Sequence, residues 1–147
     1  MQQPNQRLQD LALLALRLML GWTFFFHGSQ KLFGLFGGYG IEGTAGWMES
    51  IGIPFPTVSV VLAGSTELLG GLALATGLGQ RLIAAPLAFT MLVAAFTAHS
   101  GFDATQGGME YPLTMAVVVA ALGLLGPGRL ALRFPATEGR VLARAAS

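Results

Sequence analysis

The sequence predicts an all-α integral membrane protein, a four-helix bundle with a short interfacial helix in its first outer loop. Three observations carry this. Of 147 residues, 53% are hydrophobic and 10% charged, with a mean hydropathy of +0.64, whereas soluble domains carry roughly 25% charged residues. Four apolar stretches follow one another, each close to the about 20 residues that a helix needs to cross a hydrocarbon core of about 30 Å. Period-two alternation is absent, which disfavours a β-barrel, and backbone groups in lipid must then be satisfied within helices. The chain reads as one membrane domain, 1–147, which four crossings nearly fill.

The first helix is expected over about 8–33: Leu11 to Phe26 is interrupted only by Arg17, and the pattern continues to Phe33. Arg7 ahead of an apolar run resembles a signal peptide, but Arg17 breaks the run and no small-x-small cleavage site follows, so this reads as a retained helix. The outer loop, 34–57, is long enough to hold structure of its own. Gly37, Gly38 and Gly40 open it, Thr44 is placed to cap a short helix through Ser50, and Gly52 with Pro54 and Pro56 ends that helix. Its Trp47, Met48, Ile51 and Phe55 suit either an aromatic interfacial anchor or a lid over a site.

The second helix is expected over about 58–78 and contains Glu67; the third, over about 82–99, follows after only Gly79 to Arg81, so the two must be antiparallel neighbours. Pro86 is tolerated near a helix start but kinks a helix that begins earlier. The fourth helix, about 110–126, opens on Glu110 with Pro112 in its first turn, and a tail, 127–147, follows.

Basic residues set the orientation. Arg7, Arg81, Arg129, Arg133, Arg140 and Arg144 fall on one side, while Lys31 shares the other with Glu42, Glu49, Asp103 and Glu110. The positive-inside rule places both termini in the cytoplasm. A net charge of +1 argues against nucleic acid as a partner. The absence of cysteine excludes disulfides, thiolate metal sites and a dithiol relay within the chain.

Ionisable groups at membrane depth are costly unless paired or hydrated, so they carry most of the functional information. Arg17 and Glu67 each lie about 14 to 16 Å from the cytoplasmic side at 1.5 Å per residue. Matching depth predicts an ion pair, either a helix-registering contact or part of a proton or substrate site. Ala63, Gly71 and Ala75 flank Glu67 on a small-residue stripe that admits a close neighbour. Nearer the outer surface, His27 and Lys31 stand at i,i+4 on the first helix, on the face that also carries Arg17. His99 ends the third helix and Glu110 begins the fourth at a similar height. The expected catalytic set is His27, Glu67, His99 and Glu110; the expected binding set is Arg17, His27, Lys31, Trp47, Glu67 and His99. Each also has a plainer structural use: interfacial histidines, a snorkelling Lys31, and Glu110 as a helix N-terminal acid.

The strings HGSQKLFG, TELLGGLALATG and EYPLTMAVVVAALGLLGPGRLAL resemble the DoxX family of small four-helix bacterial membrane proteins, over about Leu11 to Arg133. The family's recurrent polar positions map to Arg17, His27, Lys31, Glu67 and Glu110. The GPGR of Gly126 to Arg129 fits its usual end, although Ala131, Leu132 and Arg133 stand where Ser-Leu-Asp commonly follows. The resemblance implies a bacterial plasma membrane location and a link to quinol oxidation and thiosulfate:quinone oxidoreduction.

Three function classes fit. One is an oxidoreductase subunit that binds a quinone near the outer interface, with His27 or His99 on the quinone oxygen and Glu67 or Glu110 exchanging protons. Another is a binding or transport protein for a small solute, which needs an oligomer because four helices are few for alternating access. The third is a scaffold for soluble redox enzymes, using the basic stretch Arg129 to Arg144. Haem b between His27 and His99 is geometrically conceivable, and a metal on His27, His99 and Glu110 has suitable ligand types, but no spacing motif supports either and neither is expected. The lipid membrane is the expected partner in every case. Ala116, Ala120 and Gly123 serve either intramolecular packing or a homo-oligomer.

Overall fold

The computed structural model describes residues 4–132. Of the basic tail, Arg133, Arg140 and Arg144 lie outside the described residues. Five α-helices occur in order: α1 (Pro4–Phe33), α2 (Gly40–Ser50), α3 (Pro56–Thr76), α4 (Gln80–Thr97) and α5 (Glu110–Leu125), with no strand among the described residues. Three stretches, Asn5–Phe33, Pro56–Thr76 and Gln80–Thr97, are long and apolar enough to cross a membrane. The 16 residues of α5 are shorter but have the most apolar composition of the five helices. Met19, Leu62, Leu69, Leu82, Phe89 and Leu124 are exposed around the bundle, the outward-facing apolar surface that lipid stabilises.

α1 packs most closely on α3, and α4 on α5. Glycines make the first of these contacts possible. A Cβ on Gly21 would lie 2.8 Å from the Gly71 carbonyl oxygen, and one on Gly28 would lie 2.5 Å from the Leu68 nitrogen. The two backbones therefore touch, the small-residue packing that substitutes for a hydrophobic driving force inside lipid. The pairs meet around Leu20, Phe24, Leu74, Leu87 and Val119, all buried. Ala116 is part of that core, and a Cβ on Gly123 would lie 2.6 Å from Ala84 Cβ, so these two small residues serve packing within the chain.

α1 starts earlier than the apolar run suggests, at Pro4, a residue suited to a first helical turn. Its 30 residues span about 45 Å at 1.5 Å each, so its N-terminal turns overhang α3. This overturns the expected Arg17–Glu67 pair. Arg17 stands level with the last turn of α3, where its Nε donates to Leu74 O at 2.9 Å and Nη2 to Ala75 O at 3.0 Å. Its Nη1 donates to Pro127 O at 2.6 Å and Leu130 O at 3.2 Å. The guanidinium thus ties the carbonyl-rich, negative end of α3 to the segment after α5. That segment is fastened twice more, by Leu132 N donating to Thr76 O at 2.9 Å and Arg129 N to Asp10 Oδ1 at 3.0 Å.

α2 begins at Gly40 rather than after Thr44; Thr44 lies inside the helix, buried, and no side chain caps the helix start. Leu35–Gly37 precede it as a single 3-10 turn containing Phe36 at φ 54, ψ 33. Gly77 and Gly79, both at positive φ, make the tight turn between α3 and α4. Pro86 is the seventh residue of α4, past its first turn, and so leaves the Leu82 carbonyl without its helical partner.

Candidate functional site

Where the α1–α3 pair parts from the α4–α5 pair, at the end covered by α2, a cavity of about 340 Å³ opens. α1 lines it with Thr23, Phe24, His27 and Lys31, α3 with Ser59, Ala63 and Glu67, and α2 with Trp47 and Met48. α4 and the residues after it supply Thr90, Met91, Thr97 and His99, and α5 supplies Tyr111, Pro112 and Met115. Trp47, Val93, Thr97 and Tyr111 are exposed as well as lining, so the cavity opens sideways between helices. A volume and an apolar lining of this kind suit a ring-sized organic molecule.

Glu67 is buried, with 3% of its side chain exposed, and its Oε2 accepts from Lys31 Nζ at 2.6 Å. Lys31 is 14 residues beyond Arg17 on the same helix, and it takes the place expected for Arg17. A long side chain on a helix leans toward the N-terminus, which lets Lys31 reach back to a carboxylate level with His27. The ammonium supplies the counter-charge without which a buried carboxylate would be strongly disfavoured.

The histidines are held by their own helix ends. Gln30 Nε2 donates to Phe36 O at 3.2 Å, which turns Oε1 toward His27 Nδ1 at 3.1 Å. An amide oxygen only accepts, so Nδ1 carries the hydrogen. His99 Nδ1 stands 2.8 Å from Ala94 O, also an acceptor, and again Nδ1 carries the hydrogen. In the neutral form of either ring Nε2 is then the nitrogen with the lone pair.

The hydroxyls around the cavity are equally committed. Thr23 donates to Met19 O at 2.9 Å, Ser59 to Pro54 O at 2.8 Å, Thr90 to Pro86 O at 2.9 Å and Thr97 to Val93 O at 2.7 Å. Each spends its one hydrogen on backbone and keeps only acceptor capacity.

Of the residues expected from the sequence, His27, Lys31, Trp47, Glu67 and His99 converge on this cavity. Arg17 does not; it is at the other end of α1. Glu110 does not either. Its Oε2 accepts from Ala104 N at 3.2 Å across the loop before α5, and the side chain is exposed. In the same loop Asp103 Oδ1 accepts from the Thr105 amide at 2.9 Å and hydroxyl at 2.8 Å. These bonds hold its carboxyl below the usual carboxylate range. Tyr111, Thr23 and the α4 threonines were not expected. The spacing Thr23, His27, Lys31 at i, i+4, i+8, and Thr90, Thr97 at i, i+7, is the sequence signal that marks their shared faces. Among the described residues, no three His, Asp or Glu side chains gather as a metal site would require.

Comparison with known proteins is decisive at the level of family. The DoxX family profile matches residues 12–100. The chain belongs to the DoxX family. A Bacillus subtilis (strain 168) protein named "Putative oxidoreductase CatD" is 31% identical over 123 residues, 84% of this chain and 85% of that protein. No solved structure gives a significant match. The DoxX match carries His27, Lys31, Trp47, Glu67 and His99 of the cavity, while α5, with Tyr111 and Met115, lies beyond it.

Proposed function

We propose that this DoxX protein is the membrane subunit of a quinone-linked oxidoreductase and that the cavity beneath α2 is its ring-binding site. The observation that carries the reading is the meeting of two imidazoles, from α1 and from the end of α4, with the Lys31–Glu67 pair in one apolar, laterally open cavity. A quinone reaches its site through lipid, which fits a sideways opening. Its two-electron interconversion with the hydroquinone moves two protons, and imidazole is the side chain best suited to exchange them near neutral pH.

On this reading His27 and His99 bind the ring oxygens and exchange the protons, Lys31 and Glu67 hold fixed charge beside them, and Trp47 covers the ring. The electrons pass to or from a soluble redox enzyme at the membrane, because the cysteine-free chain has no dithiol of its own. The oxidoreductase name of the Bacillus relative agrees with this class of chemistry. The chain sits in the plasma membrane with the α2 end outward. Arg7, Arg81 and Arg129 gather at the Arg17 end, and Glu42, Glu49, Asp103 and Glu110 at the α2 end, as the positive-inside rule requires.

The test is quinone-dependent electron transfer by the protein with its partner in lipid nanodiscs. His27→Ala and Glu67→Gln are expected to abolish it while the helices stay folded by circular dichroism. Turnover equal to the native protein in both variants would remove the reading.

A further inference from the structure

The hydrogen-bond polarity of the cavity discriminates between the two redox forms of a ring. This inference rests on the quinone-site reading. The geometry points to a site built for the reduced, hydroxyl-bearing ring in preference to the quinone, with Gln30 as the positioning residue that sets His27 for it.

A quinone brings only carbonyl oxygens, which must be met by donors. A hydroquinone brings two O–H donors, which must be met by acceptors. The cavity is rich in the latter. His27 and His99 both line it, and in its neutral form each has a bare Nε2, because each Nδ1–H is spent on Gln30 or on Ala94. All four threonine and serine hydroxyls in the wall give their hydrogen to backbone carbonyls. Donors are fewer: Lys31 Nζ, already on Glu67, the Tyr111 hydroxyl and the Trp47 indole. A carbonyl oxygen set against either Nε2 would face lone pair to lone pair in an apolar surrounding, where an unmet acceptor is most costly.

The His27 half of this arrangement is built by a chain of contacts that the ring-binding reading does not otherwise use. Phe36 holds a left-handed backbone conformation rare for a non-glycine residue. Its ring is stacked on Phe26 at 4.7 Å between centroids. In that conformation its carbonyl takes the Gln30 amide hydrogen, which fixes the Gln30 oxygen on His27. Without Gln30 the imidazole is free to carry its hydrogen on Nε2, which turns an acceptor into a donor. His99 has no such dependence and keeps its tautomer.

The test uses the full chain in lipid nanodiscs at pH 8, above the ordinary imidazole value of about 6.5. Binding of a decyl-substituted benzohydroquinone and of the matching benzoquinone is measured anaerobically, in the native protein and in Gln30→Leu. ¹⁵N-histidine spectra report the tautomers. The native protein is expected to bind the hydroquinone about tenfold or more tightly over the quinone, the worth of one well-made hydrogen bond. Gln30→Leu is expected to lose most of that preference and the Nδ1–H signal of His27, while the His99 signal persists and shows that the bundle is intact. Equal affinity for the two forms, tighter quinone binding, or an unchanged preference in Gln30→Leu overturns the inference and leaves the quinone site standing. Binding of neither form overturns the quinone-site reading itself.

Discussion

Lys31 Nζ lies 2.6 Å from Glu67 Oε2, and this contact joins α1 to α3 in the wall of the cavity. The carboxylate is almost fully buried and the ammonium one-quarter exposed, so the two partners respond differently to removal. Lys31→Met strands a buried charge and is expected to lower stability by about 3–5 kcal/mol. Lys31→Met with Glu67→Leu removes both charges and is expected to recover most of the loss. Thermal unfolding in mild detergent reads both; a double variant no more stable than the single one would mean that the pair does not act as a unit.

Arg17 predicts a different outcome. Its guanidinium is the common partner of four carbonyls in two segments, so Arg17→Met leaves Leu74, Ala75, Pro127 and Leu130 with unmet acceptors. The expected result is a loss of several kcal/mol in stability and faster proteolysis between Gly126 and Leu132. Arg17→Lys is expected to rescue only in part, because an ammonium lacks the planar fork that reaches both segments. Hydroquinone and quinone binding per folded molecule should not change, since Arg17 stands away from the cavity.

The contrast between Arg17 and Lys31 shows what the sequence made legible. Helix number and membrane class followed from apolar runs, because lipid leaves the backbone few alternatives. The shared height of His27, Lys31 and His99 also followed, since direction and height along a helix are linear in residue number, whereas Glu67 was expected deeper, beside Arg17, and instead joins them in the cavity. The ion-pair partner did not, because it depends on where α1 truly begins. The polar residues Asn5, Gln6 and Arg7, ahead of the expected start near 8, gave no sign that the helix was already under way, and Arg17 stands at the end of α3. Glu110 was misplaced for a related reason. Helix height brings it to the right level, but only the azimuth of α5 decides that Tyr111 faces the cavity and its neighbour faces the loop. Phe36 and Phe55, both at positive φ, carry no sequence signal of the kind glycine gives.

Glycine contacts between α1 and α3 allow a graded test of packing. A Cβ on Gly71 would lie 2.5 Å from the Phe25 nitrogen, backbone that cannot yield, whereas Gly46 on α2 has open space around it. Gly71→Ala is expected to separate the helices and abolish a cooperative unfolding transition. Gly46→Ala is expected to be neutral or to stabilise by up to about 1 kcal/mol, as Gly to Ala does inside a helix. Equal stability of the two variants would contradict the close approach.

Asp103 supplies a prediction about acid. Its folded carboxyl is held below the usual value by the two Thr105 bonds, so the loop contact is present above the unfolded carboxylate value and is lost as pH falls through the lower, folded one. The Thr105 amide shift should therefore titrate with a midpoint below 3.8, the ordinary value. In Asp103→Asn that transition should vanish. A midpoint at or above the ordinary value would mean that the turn does not hold the carboxylate.

Neighbouring residues at the start of α5 separate the cavity from its surroundings. Glu110 was one of the two carboxylates, with Glu67, expected to exchange protons, yet it meets Ala104 in the exposed loop, whereas Tyr111 lines the cavity. Glu110→Gln keeps an acceptor for the Ala104 amide and is expected to leave ring binding unchanged. Tyr111→Phe removes one hydroxyl and no shape. A neutral hydrogen bond contributes about 0.5–1.5 kcal/mol net, so loss of this donor should weaken benzoquinone binding roughly twofold to tenfold and leave hydroquinone binding little changed. The same nanodisc measurement reads both variants. A loss confined to Glu110→Gln would place the chemistry at the loop rather than beneath α2.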